Sequence, residues 1–125
     1  MNTPDSLLYT KNHEWVLIED NVATVGITDF AQGELGDIIY LELPDSGATV
    51  VKDDPFGTIE AVKTVADLFA PVPGTIVEVN ESLDKSPEKV NKEPYGEGWI
   101  IKIEMSDPSE LENLMNADEY DKIIQ

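Results

Sequence analysis

The apolar residues of this chain fall in short alternating runs, each closed by turn-forming residues, and that spacing predicts short strands before anything else. Glu14 to Glu19 and Val22 to Thr28 flank Asp20 and Asn21, whose short polar side chains tolerate turn geometry, so the pair reads as a β-hairpin. Asp37 to Leu43 alternates around Ile39 and Leu41 and stops at Pro44, and Gly74 to Val79 and Trp99 to Met105 repeat the pattern. Between the strands, Thr28 suits the N-cap of one short helix ending near Gly36, where a left-handed residue costs little, and Ser86 to Val90 suits a single helical turn. Asp107, Pro108, Ser109 and Glu110 form a helix start: an acidic cap, a proline in the first turn and a glutamate three residues after the cap. Leu111, Leu114 and Met115, then Tyr120, Ile123 and Ile124, fall at helical spacing, which predicts two short amphipathic helices packed on the sheet. The fold class expected is mainly β with small helices.

Size and charge narrow the functions available. At 125 residues the chain suits one domain, 1–125, able to bury roughly two-thirds of its unfolded surface. Its 26 acids against 8 basic residues give a net charge of −18, which repels phosphate backbones and anionic lipid and argues against nucleic-acid or membrane partners. With no cysteine there is no disulfide framework, no thiolate zinc site and no thiol nucleophile. The opening MNTPDSLLYTKNHEW has neither a basic leader nor an arginine-rich transit pattern, and no apolar run approaches about 18 residues, so a soluble, cytoplasmic chain is expected. His13 is the only histidine and no serine sits in a nucleophile elbow, so His13 reads as structural, held beside Trp15. Asp53 and Asp54, ahead of Pro55 and without the spacing of a calcium loop, read as a solvated turn. Trp15 and Trp99 read as core or rim packing. No catalytic constellation is left, so an enzyme is not the expectation.

The run from Glu60 to Gly74, EAVKTVADLFAPVPG, is different in kind. It holds one lysine, Lys63, among valines, with Glu60 three residues before it, Asp67 four after it and a stiff Pro71 and Pro73 pair beyond. Periodicity alone predicts a helix here, because Val62, Val65, Ala66 and Phe69 share a helical face and no glycine, asparagine or proline lies between Lys63 and Ala70. A lone ε-amine on a flexible stem is also a group that can be acylated without strain.

The wider sequence decides between these readings. HEW (13–15), VGIT (25–28), AQ (31–32), LGD (35–37), LP (43–44), EAVK (60–63), APV (70–72), VN (79–80 and 90–91), PY (94–95) and GW (98–99) occur in one order along nearly the whole chain. In that order and spacing the sequence resembles the H proteins of the glycine cleavage system, a family of lipoyl carriers. It departs from them at Ala61, where many members have serine, and at Glu34, where some have histidine.

The resemblance implies a barrel-sandwich hybrid with Lys63 at the tip of a β-hairpin, about 56–80, and a C-terminal helical segment, about 107–125. It implies lipoate in amide linkage on Lys63, and a shuttle that takes the aminomethyl group of glycine from a pyridoxal-phosphate glycine decarboxylase to a tetrahydrofolate-dependent aminomethyltransferase. A dihydrolipoyl dehydrogenase reoxidises the dithiol, and a lipoate ligase or lipoyl transferase loads the lysine. Glu14 and Asp67 are implied to shield the loaded arm, and Glu60 to be read by the ligase or another partner. A biotin carrier brackets its lysine with methionines, whereas Val62 and Thr64 flank this one. A lipoyl domain of a 2-oxoacid dehydrogenase has an aspartate directly before the lysine and an Ala/Pro linker, and both are missing. Two alternatives stay open: an H-like relay donating lipoyl to other lipoyl-dependent enzymes, and an unmodified binding module.

Overall fold

In a computed structural model of the chain, residues 3–124 are described; Met1, Asn2 and Gln125, on which part of the leader reading and the end of the C-terminal segment fall, lie outside them. The strands are β1 (Leu8–Tyr9), β2 (Glu14–Glu19), β3 (Val22–Ile27), β4 (Ile38–Glu42), β5 (Thr49–Val50), β6 (Pro55–Ala61), β7 (Val65–Phe69), β8 (Gly74–Val79) and β9 (Ile101–Met105). One sheet runs β1-β2-β3-β9-β8-β5 and the other β4-β6-β7, with every pair antiparallel. Side chains of both sheets meet in one core, in which Val16, Ala23, Val25 and Ile103 face Leu41, Ile59 and Leu68. The architecture is the mainly β barrel-sandwich hybrid expected, with its two sheets left unclosed.

The β2–β3 hairpin keeps register from Glu14 opposite Ile27 to Glu19 opposite Val22, and Asp20 takes a φ of 56° in its turn. That is the left-handed region an aspartate enters more readily than most residues. Helix α1 (Asp29–Leu35) also starts and stops where its caps allow: Thr28 Oγ1 accepts from the Ala31 N–H at 3.2 Å, and Gly36 ends it at φ 82°. Trp15 stands opposite Gly26 in the β2–β3 register, and its indole N–H donates to the Pro94 carbonyl at 2.8 Å. The missing Cβ at Gly26 is what lets the indole lie across β3.

Four expectations need correction. Strand β4 does not alternate around Ile39 and Leu41, because an extra residue between Ile38 and Tyr40 breaks its register with β6; Ile38 and Leu41 turn inward while Ile39 and Tyr40 both face solvent. The segment 56–80 is divided: β6 and β7 make the hairpin, and β8 leaves for the other sheet, where it pairs with β9 and β5. The turn at Ser86 to Val90 leads into α2 (Lys89–Lys92), so its helix sits later than expected. Finally, only one of the two late helices is α-helical. Residues Pro108–Asn113 form a 3-10 helix capped by Asp107, which accepts from Ser109 N–H and not through a box with Glu110; Met115 then pairs with Tyr9 as an isolated bridge before α3 (Ala117–Ile124) begins. The chain leaves this segment at once to pair Met115 with Tyr9 of β1, and a short connector of this kind is where 3-10 geometry is common. Helix α3 packs as expected, with Tyr120 stacked on Tyr9 at 4.8 Å.

The indole over Gly26 generates a test. An alanine Cβ there meets the Trp15 ring at 2.6 Å, and the ring is held by its bond to Pro94, so Gly26→Ala should destabilise the fold by about 2 kcal/mol. Urea unfolding of the two proteins measures it; equal midpoints would mean that the indole moves freely.

Candidate functional site

Lys63 lies in the turn between β6 and β7 and is exposed. Ala61 N–H donates to the Thr64 carbonyl at 2.8 Å across the turn, and Val62 N–H donates to the Asp37 carbonyl at 3.1 Å, which ties the tip to the start of β4. Neither Val62 nor Lys63 has a positive φ, so this turn makes no demand for glycine or asparagine. That removes the apparent conflict between the sequence VKTV and a tight turn. Behind the tip, Ile59, Ala61 and Leu68 are buried and anchor both strands. The helix that periodicity favours is absent because Ala66 and Leu68 face inward along a strand while Val62 and Val65 stay in solvent.

A cleft of about 280 Å³ opens beside the hairpin, between β2, α1 and the inward side of β6 and β7. Its walls are mainly apolar, including Ile27, Phe30, Leu35, Ile59, Ala66 and Leu68, and three acids line it as well: Glu14, Glu34 and Asp67. Ala66 is three residues along β7 from Lys63, about 10 Å of strand.

Glu14 is the unusual group. It is only 2 % exposed, and its carboxyl is pushed up to about 7, mainly by burial. Thr10 Oγ1 donates to Oε1 at 2.6 Å, whereas Oε2 has a single long contact, the Phe69 N–H of β7 at 3.4 Å. Those hydrogen bonds favour the ionised form and hold the shift below what burial alone would give. Asp67 is exposed and sits opposite Thr58, in the row that alternates with the inward pair Ile59 and Ala66, so it edges the cleft and does not close it. Glu60 is half-buried between Tyr40 and Val65, away from the cleft. The structure therefore brings Glu14 and Asp67 together at one cleft and leaves Glu60 apart from them.

His13 has moved from its expected place. It is not packed beside Trp15, whose ring turns toward Tyr95; its own ring lies 4.9 Å from Phe30, and its Nδ1 is 2.8 Å from the Tyr120 hydroxyl, which in turn meets Thr28 Oγ1 at 2.7 Å. Burial lowers its pKa, with Glu34 opposing. The backbone at His13 has φ 69°, and its carbonyl accepts from Thr28 N–H, which turns the chain so that His13 and Glu14 both line the cleft. Trp15 is core, and Trp99 is half-buried with the Lys102 ammonium 5.1 Å over its ring. Asp53 and Asp54 are exposed in a turn, Asp53 at φ 68°. Thr10 and the apolar wall from α1 went unnoticed in the sequence. A threonine four residues before a glutamate carries no signal of its own, and α1 shows no buried residue to mark its cleft face.

The residues matched by the family model "Glycine cleavage H-protein" are 7–125. This chain belongs to that family. It is 54 % identical over 125 residues to the glycine cleavage system H protein of Bacillus velezensis, with 100 % of this chain and 98 % of that one covered. It is 56 % identical over 123 residues to that of Salinibacter ruber, with 98 % and 99 % covered. The crystal structure of the H protein from Mycobacterium marinum superposes with a TM-score of 0.89 at 37 % identity, covering 96 % of this chain and 97 % of that one. Membership brings the family's function and cofactor: a lipoyl-carrying shuttle of the glycine cleavage system, with lipoate in covalent linkage. As an H-family chain, this protein has what such a cofactor requires: an exposed amine on a fixed tip, and an apolar cleft within a short reach.

The raised carboxyl of Glu14 makes a signed expectation. Between the ordinary carboxylate range and about 7 the folded state holds a proton that the unfolded state has lost. This contribution is fully present below pH 4.5 and is lost as pH rises through about 7. It amounts to roughly 3 kcal/mol. Urea unfolding midpoints across that range should therefore fall more steeply with pH for wild type than for Glu14→Gln, which keeps the shape without the titration. Parallel profiles would contradict an elevated Glu14.

Proposed function

We propose that Lys63 is the amine on which this shuttle carries lipoate, and that the cleft at Glu14 receives the arm between encounters with partner enzymes. The observation that supports this most is the pairing of an exposed lysine on a tied-down turn with an apolar cleft ending in a buried carboxyl. When attached, lipoate supplies a disulfide and dithiol pair at the end of a flexible chain, able to take up and release the one-carbon amine fragment of glycine.

The chain's own residues contribute position and shelter. Ile59, Ala66 and Leu68 offer hydrocarbon walls to an acyl chain, and Phe30 and Leu35 of α1 add apolar surface to the lining. Glu14 Oε2, with only its long contact to Phe69, is the natural acceptor for an ammonium delivered into the cleft, and Asp67 at the edge adds a second negative charge. Tethering turns each meeting of cofactor and active site into a short-range search, so a non-catalytic chain can serve several enzymes in turn. Those enzymes are a pyridoxal-phosphate glycine decarboxylase, a tetrahydrofolate-dependent aminomethyltransferase and a dihydrolipoyl dehydrogenase, with a lipoate ligase or lipoyl transferase loading the lysine. The setting proposed is the cytoplasm; no helix among the described residues is long and apolar enough to cross a membrane. The relay reading is not favoured, since the relatives named above are glycine cleavage proteins.

Lys63→Arg keeps the positive charge but presents no acylatable amine. Incubated with a lipoate ligase, lipoate and ATP, wild type should gain one lipoyl group on the peptide containing Lys63 and the variant none, with unfolding midpoints unchanged. A lipoyl group on the variant, or on another lysine of the wild type, would overturn the assignment.

A further inference from the structure

Seven large apolar side chains stand exposed among the described residues, and four of them, Ile39, Tyr40, Val62 and Val65, come from the Lys63 end of the three-stranded sheet. Tyr40, Glu60 and Val65 are direct cross-strand partners, so they share one lateral row on the outward face. Ile39 joins Tyr40 outside because of the extra residue in β4, which leaves the two side by side in solvent at 47 % and 50 % exposure. Bulges that re-aim side chains next to a site are features with a use more often than accidents. Val62 extends the patch to the residue before Lys63, and its N–H is bonded to the Asp37 carbonyl at the root of β4, which ties hairpin tip to bulged strand.

The rim of this patch is acidic and unpaired. Asp37, Glu42 and Asp67 border it and Glu60 lies within its row between Tyr40 and Val65, and among the described residues none of the four makes a side-chain hydrogen bond or ion pair; the ion pairs Lys52–Glu110, Lys89–Glu97 and Lys102–Glu78 lie elsewhere. Lys63 is the one basic residue between Lys52 and Lys85. A second copy of the chain would bring one acidic rim against another, which opposes self-association through this face.

Resting on the reading of Lys63 as the attachment site, we propose that this face, with Ile39 and Tyr40 on its β4 side, docks the enzyme that acylates Lys63, a protein whose apolar contact surface is edged with lysine and arginine. Acylation singles that enzyme out. The neutral Nζ must reach bonding distance of the carbonyl carbon of an activated lipoyl donor, an acyl–phosphate anhydride or a thioester. The C–N bond forms as the donor's leaving group departs with its electron pair, and the amine gives up a proton to solvent or base. An enzyme doing this has to touch the hairpin tip itself. Enzymes that act on the finished arm meet its far end, a full acyl chain from the tip, and need no contact with β4.

The test uses wild type, the double variant Ile39→Ser/Tyr40→Ser and, as control, Val77→Ser, an exposed valine of β8. Each is incubated with a lipoate ligase, lipoate and ATP, and acylation is followed by intact mass. Unfolding midpoints confirm that all three are folded. The double variant should lose about 10-fold or more in kcat/KM, the control no more than about 2-fold, and the wild-type rate should fall with added salt. Once fully acylated by long incubation, the double variant should exchange bicarbonate into glycine with the decarboxylase at the wild-type rate. An unchanged kcat/KM for acylation would overturn the proposal, and so would an equal loss in the decarboxylase assay, which would give the face to a downstream partner. Wild type left unacylated at Lys63 would instead sink the attachment reading on which the proposal stands.

Discussion

A side chain that must be handed to one enzyme after another has to be in solvent, yet its backbone has to stay still. Lys63 meets both conditions through its neighbours. The turn is closed by Ala61 and Thr64, pinned to β4 through Val62 and Asp37, and rooted in the core by Ile59, Ala61 and Leu68. Because the anchoring residues alternate with the exposed ones along two short strands, rigidity and exposure come from the same pleat. A helix over the same residues would have turned Val62 and Val65 inward together and given up that division.

On the proposed attachment at Lys63, the second sheet gives the arm somewhere to go. β2 delivers Glu14 from the six-stranded sheet to the amide of Phe69 on β7, so one carboxyl touches both halves of the fold at the floor of an apolar cleft. Burial there has an energetic cost, seen in the raised carboxyl, and only Thr10 offsets it strongly. Groups kept in so unfavourable a protonation balance cluster at functional sites. A cation entering the cleft would relieve the cost, which is a reason for Glu14 to sit there at all.

Much of this was legible in the residues. The β2–β3 hairpin, the Thr28 and Gly36 caps and the strands β8 and β9 followed from alternation and turn chemistry, because those signals are local. The bulge at Ile39 was not, since an extra residue shows only against a partner strand far along the chain. The short Pro108–Asn113 segment read as an α-helix because its apolar spacing is set by where it must land on β1, not by an intact helical face. The hairpin at Lys63 came from likeness to a family, against a periodicity that favoured a helix; a turn needing no positive φ leaves no glycine or asparagine to betray it. Glu14 stood out only by belonging to HEW, and its burial is a property of three elements that meet in space.

The tip and the cleft form one device if the arm's charged end reaches Glu14. The most direct measurement is a carbon-13 NMR titration of the Glu14 carboxyl, made on the unmodified protein and on the protein whose lipoyl arm ends in an ammonium. In the unmodified protein Glu14 should titrate near 7, and with the cation docked beside it the midpoint should drop, because a neighbouring positive charge favours the carboxylate. The same midpoint in both forms would contradict the docking of the arm at Glu14.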